Sequence, residues 1–516
     1  MAEGIQLGRD HLEPDNVAEV AREARPVVLS EETRDLVSRA RAVLERYERE
    51  DRPVYGLTRG LGNQVENKVS QEDRDGYSRL MMVARACGTG PELPRPAVRA
   101  ALFARAAGMA QGGSGVRPQV IDQIIKVLQA DICPVVPSIG SVGASDLPLM
   151  ANLGLGLIGE GLVIWRGQRM PASEALREAG IAPLSLAAKE GVAICAANAI
   201  STGMGALVHT DCHRLLEALE AVVILSFEAF RANPSPLDGR IAAARPAPGQ
   251  VLAAERLRAK WMGSDLFQDG APRRLQDPIS LRCVSHVHGS LFTALEAVRA
   301  HLLGELNGAG DNPLVMVEGE EILSTGNFHT PGMALSFDSL ALAVHQVASL
   351  SSNRLRRISE AKLTDLPERL TTRQGLRIGL AMLSLNAQCL VKEIARLGQP
   401  ASLATDSLYD VEDDCPMTLA AVRKAEEALG HLAAVIACEL MVAAQALDLR
   451  APDRVCAVAG AIHDAVREEV DYLDDDRSLT EDLTRATDLV RSGRLNRVLG
   501  AALGQGPVSF RSHQAG

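Results

Sequence analysis

The sequence predicts an all-α fold, on three observations. Apolar residues fill 47% of its 516 positions while aromatic residues fill only 3%, so the core is built of Ala, Leu, Val and Ile, the residues that pack between helices. Over 96–110, 338–362 and 419–449, apolar side chains recur at steps of three and four, the spacing of one buried helix face. Strand-like alternation, by contrast, is scarce.

Taken in chain order, "VYGLTRGLGN" (54–63) is a glycine-flanked loop around Tyr55, a packed aromatic or a tuned base. The segment 96–110 is the first long helix. "SVGASDLPL" (141–149) sets Ser145 and Asp146 among small and apolar residues, a run that serves as a turn or as a catalytic centre. "GLGLIG" (154–159) matches a dinucleotide-binding pattern only formally. No β-branched strand precedes it and no acidic residue follows at the ribose spacing, so its small residues mark close helix packing. Residues 162–170 and 314–324 read as small hairpins. The stretch 191–208 has the length of a membrane span but is rich in Gly, Ala, Ser and Asn, which predicts a buried helix and no membrane anchor. "HTDCH" puts His209 and His213 on one helix face, yet without the Glu of a zinc-protease motif or a third ligand nearby no metal is expected. Residues 231–240 and the acidic 471–482 are the linker-like segments.

A net charge of -11 and a pI near 5.6, with no basic block, argue against nucleic acid as a partner. Nine cysteines without a CxxC pair, and an N-terminus lacking a basic-then-apolar segment, predict reduced thiols and a cytoplasmic setting. Arg282 lies between apolar residues, where an unpaired guanidinium is costly. It needs a carboxylate, either from an internal acid or from a substrate held by the planar fork.

Six segments together resemble the aromatic amino acid ammonia-lyases, the histidase and phenylalanine ammonia-lyase family, over about residues 50–420. "YGLTRGLG" is similar to the family's YGxNTGFG loop, "GGSGVRPQVID" to its GxSGVR helix, and "GSVGASDLPL...GEG" to GSVGASGDLAPL...GEG. "LQDPISLRCVSHVHG", "DNPL...STGNFH" and "VEDDCPM" resemble VQDxYSLRCxPQVHG, TDNPL...SGGNFH and QEDHVSM. The resemblance implies an elongated helical bundle, a single domain over 1–516 with an N-terminal part (1–210) and a central and C-terminal helical part (211–516). It also implies a homotetramer in which neighbouring chains share active-site loops.

In that family Ala-Ser-Gly cyclises to methylidene-imidazolone, an electrophile that captures the substrate amine while a Tyr removes the β-proton. Here Asp146 follows Ala144 and Ser145, so the expectation is that no such ring forms and that the enzyme uses no cofactor, because glycine tolerates the compressed turn best. Two further departures are Ile279 for the Tyr of YSLRC and Ala196 near the family's Asn. With the electrophile lost, the resemblance points to the family's ergothionase branch, which eliminates trimethylamine from ergothioneine, the betaine of 2-thiohistidine, giving thiolurocanate. The alternatives are a conventional histidine or aromatic ammonia-lyase and a non-catalytic relative. The resemblance assigns Tyr55 as general base, Arg282 and Asn327 as carboxylate ligands, and Arg85, Lys392 and Glu412 to the ring end, with Ser145 and Asp146 lining the cavity. Arg85 could instead pair with Glu412, and Lys392 could face solvent.

Overall fold

The computed structural model of the chain describes residues 4–403 and 411–514. The chain divides into two compact units: unit 1 holds Met1–Thr210, Val298–Asp338 and Pro400–Arg423, and unit 2 holds Asp211–Ala297, Ser339–Gln399 and Lys424–Gly516.

Unit 1 is centred on helix Arg95–Ala110, buried along every residue from Ala97 to Ala110. Pro96 sits in its first turn, where a missing N–H costs nothing. Small residues let backbones meet there: a Cβ on Gly203 would stand 2.6 Å from the Ala100 carbonyl carbon. Helix Leu147–Leu157 begins directly after Asp146. Its "GLGLIG" glycines are packing residues, since a Cβ on Gly154 would lie 2.8 Å from Ile194 and one on Gly156 2.6 Å from Pro134. Both expected hairpins form, Leu162–Trp165 with Gln168–Pro171 and Leu314–Met316 with Glu321–Leu323, each antiparallel.

Unit 2 is built from the 211–230, 284–297, 339–358 and 424–450 segments of four long helices, with shorter helices packed around them. Its interior holds an ion pair with no exposure: Arg354 Nε and Nη2 donate to the Glu439 oxygens at 2.6 and 2.7 Å, and Ser226 Oγ adds a third donor at 2.6 Å.

The helix expected over 338–362 runs instead from Pro331 to Ile358. It starts earlier because Pro331 follows Thr330, whose buried hydroxyl pairs with that of Thr418 at 2.8 Å. Three helical stretches are long and apolar enough to cross a membrane by length and composition, Glu190–Phe230, Pro331–Ile358 and Thr418–Arg450. Their apolar windows are 94%, 67% and 89% buried within the chain, so core packing accounts for their composition. All nine cysteines are free thiols.

Candidate functional site

Unit 1 contains a cavity of about 760 Å³. Tyr55, Arg85, Ala144, Ser145, Ala196 and Glu412 all line it, so six positions scattered over more than 350 residues of sequence converge.

Tyr55 is placed by a tight loop. Thr58 Oγ1 accepts from the Val54 N–H at 2.8 Å and donates to the Arg52 carbonyl at 2.6 Å, locking the turn from inside. Gly56 has φ +68°, and a Cβ there would press 2.8 Å from Val192 Cγ2. The phenol oxygen of Tyr55 accepts the Gly62 N–H at 2.8 Å. Glu412 Oε1 lies 4.0 Å from where a side chain at Gly62 would begin, which brings the "VEDD" loop beside the tyrosine loop.

The opposite wall is the "SVGASD" run. Gly143 has φ +92°, and a Cβ there would stand 2.8 Å from Pro416 and 2.9 Å from the Met417 nitrogen, so only glycine allows the approach. Met417 in turn donates to the Val142 carbonyl at 2.9 Å. Ser145 is buried in the left-handed region (φ +63°), its N–H donating to the Phe328 carbonyl at 3.3 Å. His329 Nε2 and Asp414 Oδ2, 2.7 Å apart, join the "TGNFH" and "VEDD" loops.

Asp146 has no exposure and is not a lining residue. Its oxygens accept from Ser141 Oγ (2.7 Å), Ser201 Oγ (2.7 Å) and the Ser201 N–H (2.8 Å), so it binds the start of helix Ala199–Phe230 from behind the wall. Burial pushes its carboxyl above the usual range, against those hydrogen bonds. Behind the same wall lies a small polar chamber lined by Arg105, Asn198, Thr202 and Glu305. Burial, with the nearby Asp146 charge added, pushes the Glu305 carboxyl up to about 7.

Arg85 donates only to the Met81 carbonyl, at 3.3 Å, and among the described residues neither Arg85 nor Glu412 has an ion-pair partner. The two do not pair with each other. Asn327 is exposed outside the cavity, its Nδ2 on the Ala309 carbonyl at 3.1 Å. Arg282 and Lys392 belong to unit 2. Arg282 ends the short helix Ile279–Arg282, and its buried Nε has no hydrogen-bond partner. No internal acid satisfies it among the described residues. Lys392 is exposed on helix Ala381–Leu397.

Among the lining residues not singled out from sequence are Asn312 and Phe328. Both sit inside segments read as site loops, but neighbouring residues carried the assignment. Asn312 Oδ1 accepts the Thr325 N–H at 3.0 Å, which ties the two loops together.

The aromatic amino acid lyase family model matches residues 12–468. The chain is 37% identical to a histidine ammonia-lyase of Symbiobacterium thermophilum, covering 97% of this chain and 99% of that one. It is 35% identical to a histidine ammonia-lyase of Caldanaerobacter subterraneus, covering 96% and 98%. Among solved structures, ergothionase from Treponema denticola superposes with a TM-score of 0.92 at 28% identity, covering 96% and 99%.

These matches correct the expectation of a cofactor-free site, because the family and its histidine ammonia-lyases use methylidene-imidazolone formed from an Ala-Ser-Gly segment. Asp146 stands where the family has its glycine. The structure shows a tight turn here without it: Ser145 takes positive φ, and Gly143 and Ser145 bridge to each other. Ala144, Ser145 and Asp146 are the residues that would carry the ring, and Ala144 and Ser145 face the cavity as it requires. When present, the ring supplies an electrophile for an amine. The all-α fold, the six residue positions that meet in the cavity and the near full-length matches make one case: the chain is a carbon–nitrogen lyase of the aromatic amino acid lyase family.

Proposed function

We propose that the chain releases ammonia from histidine or a close imidazole-bearing amino acid by β-elimination. The observation that carries this reading is that two charged side chains, Arg85 and Glu412, line the cavity without ion-pair partners among the described residues. Unpaired charged groups in a cavity are costly unless a ligand meets them, and an imidazole offers both a donor and an acceptor where a phenyl ring offers neither. Tyr55 is the proposed base. Its oxygen, oriented by the Gly62 N–H, takes the β-proton; the C–H electron pair forms the Cα–Cβ double bond as the Cα–N bond breaks, and nitrogen leaves with its electron pair. Arg282 and Asn327 are the proposed carboxylate ligands, acting in a cytoplasmic homotetramer in which loops of neighbouring chains complete each site. Lys392 is proposed at the ring end of such an assembled site.

A second reading rests on the departure from the family's YSLRC pattern at Ile279. It is elimination of trimethylamine from a histidine-derived betaine, and Ile279 in place of the Tyr of YSLRC is in keeping with a bulkier, apolar amine substituent. A parallel assay of histidine, 2-thiohistidine, ergothioneine and phenylalanine, following the conjugated acrylate in the ultraviolet and the released amine separately, separates the two. Faster turnover of histidine supports the first reading and faster turnover of ergothioneine the second. Turnover of phenylalanine alone defeats both.

A further inference from the structure

The C-terminal tail of unit 2 is docked onto a histidine that the lyase chemistry does not use. Strand Val508–Ser509 pairs antiparallel with Arg454–Val455. Just beyond it, Ser512 Oγ donates to the Asp448 carbonyl at 3.0 Å and the His513 N–H donates to Asp448 Oδ1 at 2.8 Å. These bonds lay the His513 ring beside that of His463, on helix Ala457–Arg467, with centroids 5.5 Å apart.

Asp448 is fully buried, and Arg467 Nε holds its second oxygen at 2.9 Å. A carboxylate held this way can only accept. His463 Nε2, 3.0 Å from Asp448 Oδ1, therefore carries the proton and donates it. The lone pair of the ring is left on Nδ1. His463 has no exposure, and this Nδ1 has no hydrogen-bond partner. Asp464 Oδ1 lies 3.7 Å from it, and with one His513 ring nitrogen the three ligand atoms all fall within 4.8 Å of one another.

We propose that His463 Nδ1, Asp464 and His513 form a binding site for a divalent transition-metal ion of the zinc class. Two imidazoles and one carboxylate are the donor set of a borderline cation, whereas calcium and magnesium favour oxygen alone. Metal–nitrogen bonds of about 2.0–2.1 Å in tetrahedral geometry bring ligand atoms to roughly 3.3 Å, so the group closes by about 1.5 Å at most. The exposed side chains of Asp464 and His513 supply that movement. Asp448 is the outer carboxylate that orients a metal-bound imidazole, and water takes the fourth position. Bound metal would clamp the tail to helix Ala457–Arg467.

The test uses the full chain, stripped with a chelator and titrated with Zn²⁺ by calorimetry and with Co²⁺ by visible absorption. One equivalent per chain is expected, with the intense visible bands of tetrahedral cobalt. His513→Gln and Asp464→Asn change exposed residues and leave the core intact; each should weaken binding at least tenfold, while His11→Gln, at an exposed histidine elsewhere, should not. Absence of stoichiometric binding, or His513→Gln binding as tightly as the parent chain, overturns the proposal.

Discussion

Tyr55 is held by one backbone donor and a loop whose hydroxyl lock sits beneath it, so its removal can be tested without reshaping the cavity. Tyr55→Phe keeps the ring and deletes only the oxygen. A loss of ~10²- to 10⁴-fold in kcat is expected on whichever substrate turns over, read by the acrylate assay. Arg282→Lys keeps the charge but not the fork, and the expected loss in kcat/KM is on the order of 2–4 kcal/mol. A near-normal kcat/KM would make Arg282 a structural residue. Glu305 gives a pH prediction with a definite sign. Its folded carboxyl titrates at about 7, above the usual glutamate range near 4.5, so between those values the folded chain keeps a proton that the unfolded chain has lost. The contribution of Glu305 to stability is present below about 4.5 and is lost as pH rises through about 7. Glu305→Gln should therefore gain on the parent chain across that window and hold a constant advantage above it, on the order of 1–3 kcal/mol. Urea midpoints at pH 5, 6 and 8 measure this; a variant that tracks its parent at all three would sink the assignment.

At the scale of elements, helix starts and helix contacts set the site. The carboxylate of Asp146 accepts the Ser201 N–H at the start of a 32-residue helix, where the backbone dipole favours a negative charge, and this anchors the cavity wall. In unit 2, Arg354 extends a third donor, Nη1, to the Ser280 carbonyl at 3.0 Å, two residues before Arg282. The buried pair with Glu439 thus supports the turn that carries the proposed carboxylate ligand. Glu439→Gln leaves Arg354 charged and unmatched in a site with no exposure, which costs about 3–5 kcal/mol for buried pairs of this kind. Chemical denaturation should show that loss. A change below about 1 kcal/mol would mean that water enters to solvate Arg354.

For the whole molecule, the property to measure is assembly. Leu342, Met382 and Leu385, on helices Pro331–Ile358 and Ala381–Leu397, are 49%, 50% and 55% exposed and so can be changed without opening the core. Light scattering should find a tetramer, and Leu342→Glu with Leu385→Glu should shift it to smaller species and lower turnover together. Full activity in a monomeric variant would show that each chain completes its own site.

Much of this protein was determined locally. Helical periodicity depends on residue spacing alone, so 96–110 and 419–449 were legible to within a residue or two, and the two hairpins were legible from their turn residues. The site loops were legible as glycine- and asparagine-rich breaks, and Tyr55, Ser145, Arg85 and Glu412 do meet in one cavity. Only the tertiary structure could show that Arg85 and Glu412 stay apart, that Asn327 is exposed, and that Asp146 turns away from the cavity toward Ser201. The same holds for Asn312, for Glu305 and for the His463–His513 group. Which way a side chain points, and what meets it, depends on backbone approaches between segments far apart in sequence, and no local pattern encodes those.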